Sequence, residues 1–235
     1  MYKIALLILL FLPANSLADQ IRIGVFDTGY TKPSKQGSVN LCKDGHYDSS
    51  TDTGTVGSDV FVGEVENHGT NIAHIIDDRL KPLGKDKYCL VIFKIYGNHK
   101  SPIRMSINAL KKVKKAGVSY INYSSAGDGS NKEESETIKD LLNHGVRIVA
   151  SAGNEGLDLR KNKRYPAMYD ERIIVVGNGS SCLTRVPSSN YGTSVKYWKY
   201  GNNILAGGSS KSGTSQSAAI FTANMIHDSI VYGRK

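Results

Sequence analysis

The chain has 235 residues, of which 40% are hydrophobic and 22% charged, so it is too apolar for a disordered chain and long enough to bury one substantial core. Its net charge of +9 raises nucleic acid as a partner. The densest basic cluster speaks against that: Lys111, Lys112, Lys114 and Lys115 lie opposite Ile103, Ile107, Leu110 and Val113 at helical spacing. This is the pattern of a solvated helix face, and no aromatic platform is interleaved with it, so no nucleic-acid partner is expected.

At the N-terminus, Lys3 is the only charge before residue 19, Ile4 to Leu12 is unbroken apolar sequence, and Ser16-Leu17-Ala18 places small residues at a cleavage site. Together these read as a secretory signal peptide removed after Ala18. The apolar run falls well short of the roughly twenty residues that cross a membrane, so no membrane anchor is expected. The mature chain, residues 19–235, is then exported, secreted or periplasmic. In such a compartment Cys42, Cys89 and Cys182 allow one disulfide and leave one thiol, with the pairing open. The absence of C-x-x-C spacing argues against a cysteine-built metal or redox centre.

Beyond Ala18, β-branched runs alternate with helical periodicities. Buried strands are expected over Ile21 to Phe26, Tyr88 to Ile95, Val118 to Tyr123, Val146 to Ala150 and Arg172 to Val176. Helices are expected over His68 to Leu80, Ser101 to Lys115, Glu133 to His144 and from about Thr214 to Ile230. The Gly-, Ser-, Thr- and Asp-rich stretch Thr31 to Glu66 reads as loops with a short hairpin. With no repeat and no linker, this order predicts a single α/β domain: a three-layer sandwich around a mostly parallel central sheet.

In such a sheet, functional groups gather where strands end. The first strand ends in Asp27-Thr28-Gly29, a carboxylate followed by a small-residue turn. The first helix opens on His68-Gly69-Thr70-Asn71-Ile72-Ala73, and the last on Gly213-Thr214-Ser215. A serine at a helix start is ordinarily an N-cap, but it also stands beside backbone N–H groups that would hold an oxyanion. A fourth segment, Ala152-Gly153-Asn154-Glu155-Gly156, places an amide donor at the end of the fourth strand.

These four motifs, in the order Asp, His, Asn, Ser, resemble the subtilases. Fainter matches extend the resemblance across most of Ile21 to Ile230: Asn122 to Gly127, Tyr165-Pro166-Ala167, and Ser188 to Gly192. The resemblance implies a subtilisin-like fold, truncated at the C-terminus, and a serine endopeptidase acting on protein or peptide substrates. Asp27, His68 and Ser215 would form its triad and Asn154 its oxyanion donor. The substrate cleft would be walled by Ser124, Ser125, Ala126 and Gly127, and by Ala152 and Gly153. Arg164 falls near the base of the pocket for the side chain before the scissile bond; there it would favour acidic residues, unless it turns to solvent or pairs with Glu155.

The chain also departs from the family pattern. His74 replaces a usual Gly, and Gln216-Ser217-Ala218-Ala219 replaces the usual Met-Ala-x-Pro, placing a polar side chain beside the nucleophile. No cofactor or metal site is expected, since the span between His68 and Tyr88 is short for the family's calcium loop. Were calcium bound, the acidic stretch Asp44 to Asp59 would be the place. The first strand follows the cleavage site directly, leaving no room for the family's covalent leader and raising a separate inhibitor or folding partner. Two readings compete with the peptidase: a catalytically silent exported binding protein on this fold, and an esterase using the same triad.

Overall fold

A computed structural model describes residues 20–60, 67–97, 101–180 and 184–233. Residues 1–18, expected above to be a signal peptide, and Cys182 lie outside the described residues. Seven parallel strands form the central sheet: β1 (Ile21–Asp27), β2 (Tyr47–Asp48), β3 (Tyr88–Lys94), β4 (Tyr120–Tyr123), β5 (Arg147–Ser151), β6 (Ile174–Asn178) and β7 (Val195–Lys199). Their spatial order is β2-β3-β1-β4-β5-β6-β7. All seven residues of β3 and the last five of β1 are buried, because helices cover both faces and leave no polar side for an alternating pattern.

Helices α1 (His68–Leu80) and α4 (Thr214–Tyr232) share one face, where Ile72, Ile75 and Ile76 pack with Ala219, Ala223 and Ile226 against Ile23 and Val25. Helices α2 (Pro102–Leu110) and α3 (Lys132–Asn143) cover the other, with Leu110, Ile138 and Leu141 meeting Phe26, Phe93 and Ile121. The basic cluster is the expected outer face, where Lys111 and Lys114 bridge to Glu133 and Asp140 of α3. The chain leaves β1 toward β3 on one side and returns to β4 on the other. That reversal opens a crevice at the carboxyl ends of β1 and β4.

Three expectations are corrected. The stretch from Thr31 contains no paired hairpin among the described residues. Instead Tyr47–Asp48 adds to β3 as a parallel edge strand, with a single antiparallel bridge between Asp48 and Thr53. The α2 helix stops at Leu110, and residues 111–117 continue as turns that reverse the chain at Gly117, where φ is +63°. The strand expected from Arg172 begins at Ile174, because Arg172 folds back onto the Asp170 carboxylate. Strand β7 and the antiparallel hairpin β8 (Ile204–Ala206) with β9 (Ser209–Lys211) were not anticipated.

Candidate active site

Asp27 ends β1 and is almost fully buried. Its Oδ1 accepts hydrogen bonds from the Thr28 N–H at 2.7 Å and from His68 Nδ1 at 2.7 Å. The contact fixes the ring's tautomer, because the carboxylate can only accept. Burial disfavours the His68 imidazolium, but the charge and hydrogen bond of Asp27 outweigh it, so the imidazole pKa is raised above its ordinary value.

His68 is held in place by the way α1 begins. Asn67 provides no side-chain cap, so the first N–H groups of the helix are met from other segments. Gly69 N–H donates to Thr28 Oγ1 at 2.8 Å and Thr70 N–H to Asp59 Oδ2 at 2.7 Å, while Thr28 Oγ1 donates to Asp59 Oδ1 at 2.6 Å. Burial pushes the Asp59 carboxyl up, against these hydrogen bonds. Thr28 and Asp59 thus position His68, although neither stood out in the sequence as a site residue. Position 69 must be glycine: a Cβ there would collide with the Gly29 carbonyl oxygen.

Ser215 is the second residue of α4, among the N–H groups that lack an intrahelical partner. Asn154 follows β5, and its Oδ1 accepts the Thr214 N–H at 2.9 Å. A backbone N–H can only donate, so Oδ1 must face Thr214 and the Asn154 amide N–H₂ is left as the available donor. Gly153 N–H completes the junction by donating to Thr214 Oγ1 at 3.1 Å. Asp27, His68, Asn154 and Ser215 all line one cleft of about 530 Å³, with Ser124, Ser125, Ala126 and Gly153 along it. Ser215 and His68 share no direct hydrogen bond, as is common before substrate tightens such a site.

Other expected cleft residues lie elsewhere. Ala152 is fully buried in the core, and Gly127 exchanges two backbone hydrogen bonds with Tyr165, at 2.8 and 2.9 Å. Arg164 does not line the cleft: its Nε lies 3.5 Å from Glu155 Oε2, and Glu155 itself faces the cavity. Cleft residues missed in the sequence include Tyr96, Ser210 and Lys211. Gln216 is buried and donates to Asn71 Oδ1 at 3.1 Å, while Asn71 Nδ2 reaches the Ala206 and Ser209 carbonyls of the β8–β9 hairpin.

In the acidic stretch Asp44, Asp48, Asp52 and Asp59 all have protein partners. Asp44 is taken by Arg22, Asp48 by Lys94 and Ser50, Asp52 by the Tyr47 hydroxyl, and Asp59 by Thr28 and Thr70. Among the described residues, no group of three His, Cys, Asp or Glu is placed to hold a metal ion. No helix among them is long and apolar enough to cross a membrane. Cys42 and Cys89 form a disulfide.

Comparison with known proteins bears on the family and the fold. The model of the subtilase family matches residues 18–228. The chain is 27% identical over 196 residues to the major intracellular serine protease of Bacillus subtilis (strain 168), an alignment covering 79% of this chain and 59% of that protein. It is 26% identical to subtilisin DY of Bacillus licheniformis, over 79% of this chain and 66% of the relative. The chain therefore spans about three fifths to two thirds of the length of these relatives. Among solved structures, a lanthipeptide protease superposes with a TM-score of 0.74 at 16% identity, covering 92% of this chain and 76% of that one. A cold-adapted subtilisin-like serine proteinase superposes at 0.73 and 20% identity, covering 89% and 75%. Both likenesses are likenesses of fold.

Proposed function

We infer the chain's function from a plain premise: it belongs to the subtilase family. We propose that it is an exported serine endopeptidase that hydrolyses peptide bonds through an acyl-enzyme. Ser215 Oγ attacks the carbonyl carbon as its proton passes to His68 Nε2. Asp27 holds the imidazole and offsets the imidazolium charge; His68 then delivers the proton to the leaving amine as the C–N bond breaks. The Asn154 amide and the Ser215 N–H hold the oxyanion. Water, activated by His68, releases the acid. The observation that carries this reading is the 2.7 Å Asp27–His68 contact, opening on the same cleft as Ser215 and Asn154. Export is supported by the signal-like start and by the Cys42–Cys89 disulfide, a bond that oxidising compartments favour.

The deciding experiment is labelling of purified residues 19–235 by a fluorophosphonate probe, alongside hydrolysis of a casein substrate. Labelling is expected in the unmodified protein and absent in Ser215→Ala. Hydrolysis should fall by about 10⁶-fold in Ser215→Ala or His68→Ala, the loss measured in subtilisin itself. A folded protein that binds peptide without labelling is the silent binding protein; one that labels but hydrolyses only small esters is an esterase.

A further inference from the structure

A buried carboxylate outside the triad has no part in the chemistry. Glu134, in the first turn of α3, is 2% exposed. Its Oε1 accepts from the Tyr123 hydroxyl at 2.8 Å and its Oε2 from the Tyr169 hydroxyl at 2.8 Å. The Tyr169 oxygen is already the acceptor of the Asn131 N–H at 2.8 Å, so its one proton is committed to Glu134. No cation pairs with Glu134 among the described residues, and burial pushes its carboxyl above the ordinary glutamate value. A buried charge held only by two hydroxyls is costly, and stability alone is a poor reason to keep it.

The two tyrosines lead to opposite ends of one wall of the cleft. Tyr123 is the last residue of β4 and immediately precedes Ser124. Tyr169 packs on Tyr165 with ring centroids 4.5 Å apart, and Tyr165 pairs through its backbone with Gly127. The three residues between, Ser124, Ser125 and Ala126, line the cleft. One carboxylate therefore closes a ring that grips this short wall before its first residue and after its last. The geometry points to Glu134 as a positioning residue that sets the substrate-binding wall of the cleft. It acts through Tyr123 and Tyr169 without touching substrate. The inference rests on the cleft being the peptide site proposed above.

The test separates the two. Peptide affinity is measured in a Ser215→Ala background, where no turnover is needed, by fluorescence polarisation of a fluorescein-labelled tetrapeptide ending in Phe. Adding Glu134→Gln keeps the shape but leaves one carbonyl acceptor for two hydroxyls. It is expected to weaken binding about tenfold, the equilibrium worth of one hydrogen bond to a charged group. Tyr169→Phe should do the same, and the two together should weaken binding no further than either alone, because both cut one ring. In the active protein, Glu134→Gln should raise KM far more than it lowers kcat, and fluorophosphonate labelling should fall less than peptide affinity does. A substitution that merely loosened the fold would depress labelling and kcat together. Equal peptide affinities with and without Glu134→Gln, whether both tight or both absent, overturn the inference, as does loss of kcat and labelling in step with KM unchanged. Should Glu134→Gln not fold, Tyr169→Phe decides alone. Failure of the unmodified protein to label overturns the peptidase reading without touching the affinity comparison.

Discussion

Replacing the disulfide by Cys42→Ala/Cys89→Ala should cost the protein a large part of its stability while leaving the site intact. The bond joins residues 47 apart in sequence, with Cα atoms 4.9 Å apart. The closed loop carries β2, Asp59 and the start of α1 with His68. In the chain-entropy account, a cross-link closing a loop of this length removes about 4 kcal/mol of conformational freedom from the unfolded chain at 25 °C. Both cysteines are buried, so alanine adds no unpaired polar group. For a domain of this size that loss lowers the melting temperature by about 8–16 °C. The folded state keeps Cys42 tied through its N–H to the Leu90 carbonyl at 2.9 Å, and β3 remains paired with β1 throughout. Urea unfolding at pH 7.5 would measure the loss, and fluorophosphonate labelling below the transition would read the site. A change in unfolding free energy under about 1 kcal/mol would refute the loop-entropy reasoning. Loss of labelling in a folded variant would show that the disulfide shapes the site directly.

Asn154→Ala should lower kcat by about 10²–10³, the size of loss known for the same donor in subtilisin, and leave KM nearly unchanged; a loss confined to KM would remove Asn154 from the oxyanion role. His46 should make the fold acid-sensitive. Its Nδ1 accepts the Ile92 N–H at 3.0 Å and its Nε2 meets the Cys42 carbonyl at 2.9 Å, so the ring fits only as the neutral Nε2–H tautomer. Burial, with help from Arg22, lowers its pKa below 6.5. The stability this supplies is complete above about pH 6.5, the unfolded value, and is lost as pH falls from there through the depressed folded value. The urea midpoint should therefore drop between pH 7.5 and pH 5 by more than it does in His46→Gln. Equal drops would contradict the assignment.

The sheet and its four helices were legible because their signals are local. Runs such as Tyr88 to Lys94 are apolar throughout, and α3 begins where Asn131 accepts the Glu134 N–H at 3.1 Å, a short-range cap. Strand β7 was not legible because it is an edge: Lys196 and Tyr197 face solvent, and the apolar run that marks a buried strand is missing. The residues that meet at the cleft, Asp27, His68, Asn154 and Ser215, were readable from motifs, but their supports were not. Asp59 precedes His68 by nine positions, and nothing local ties it to the Thr70 N–H it accepts. Arg164 could not be settled from the sequence, which left pocket, solvent and Glu155 all open. Chain order placed it near the pocket, yet whether a cation faces a cavity or a carboxylate depends on what stands beside it, and here that is Glu155.

The polar residue beside Ser215 has a similar resolution. A glutamine at position 216, buried and lining the cleft, would be expensive if left unpaired. Its amide is instead spent on Asn71, three residues into α1 from His68, and Asn71 in turn holds the β8–β9 hairpin. The helix that presents the serine and the helix that presents the histidine are thereby joined side chain to side chain. The start of each is also capped from a strand end that carries another site residue: α1 through Thr28 beside Asp27, α4 through Asn154. In this protein the hydrogen bonds that satisfy the helix ends are the same ones that bring His68 and Ser215 to the cleft. A change that uncaps either helix is therefore also a change in the geometry of that cleft.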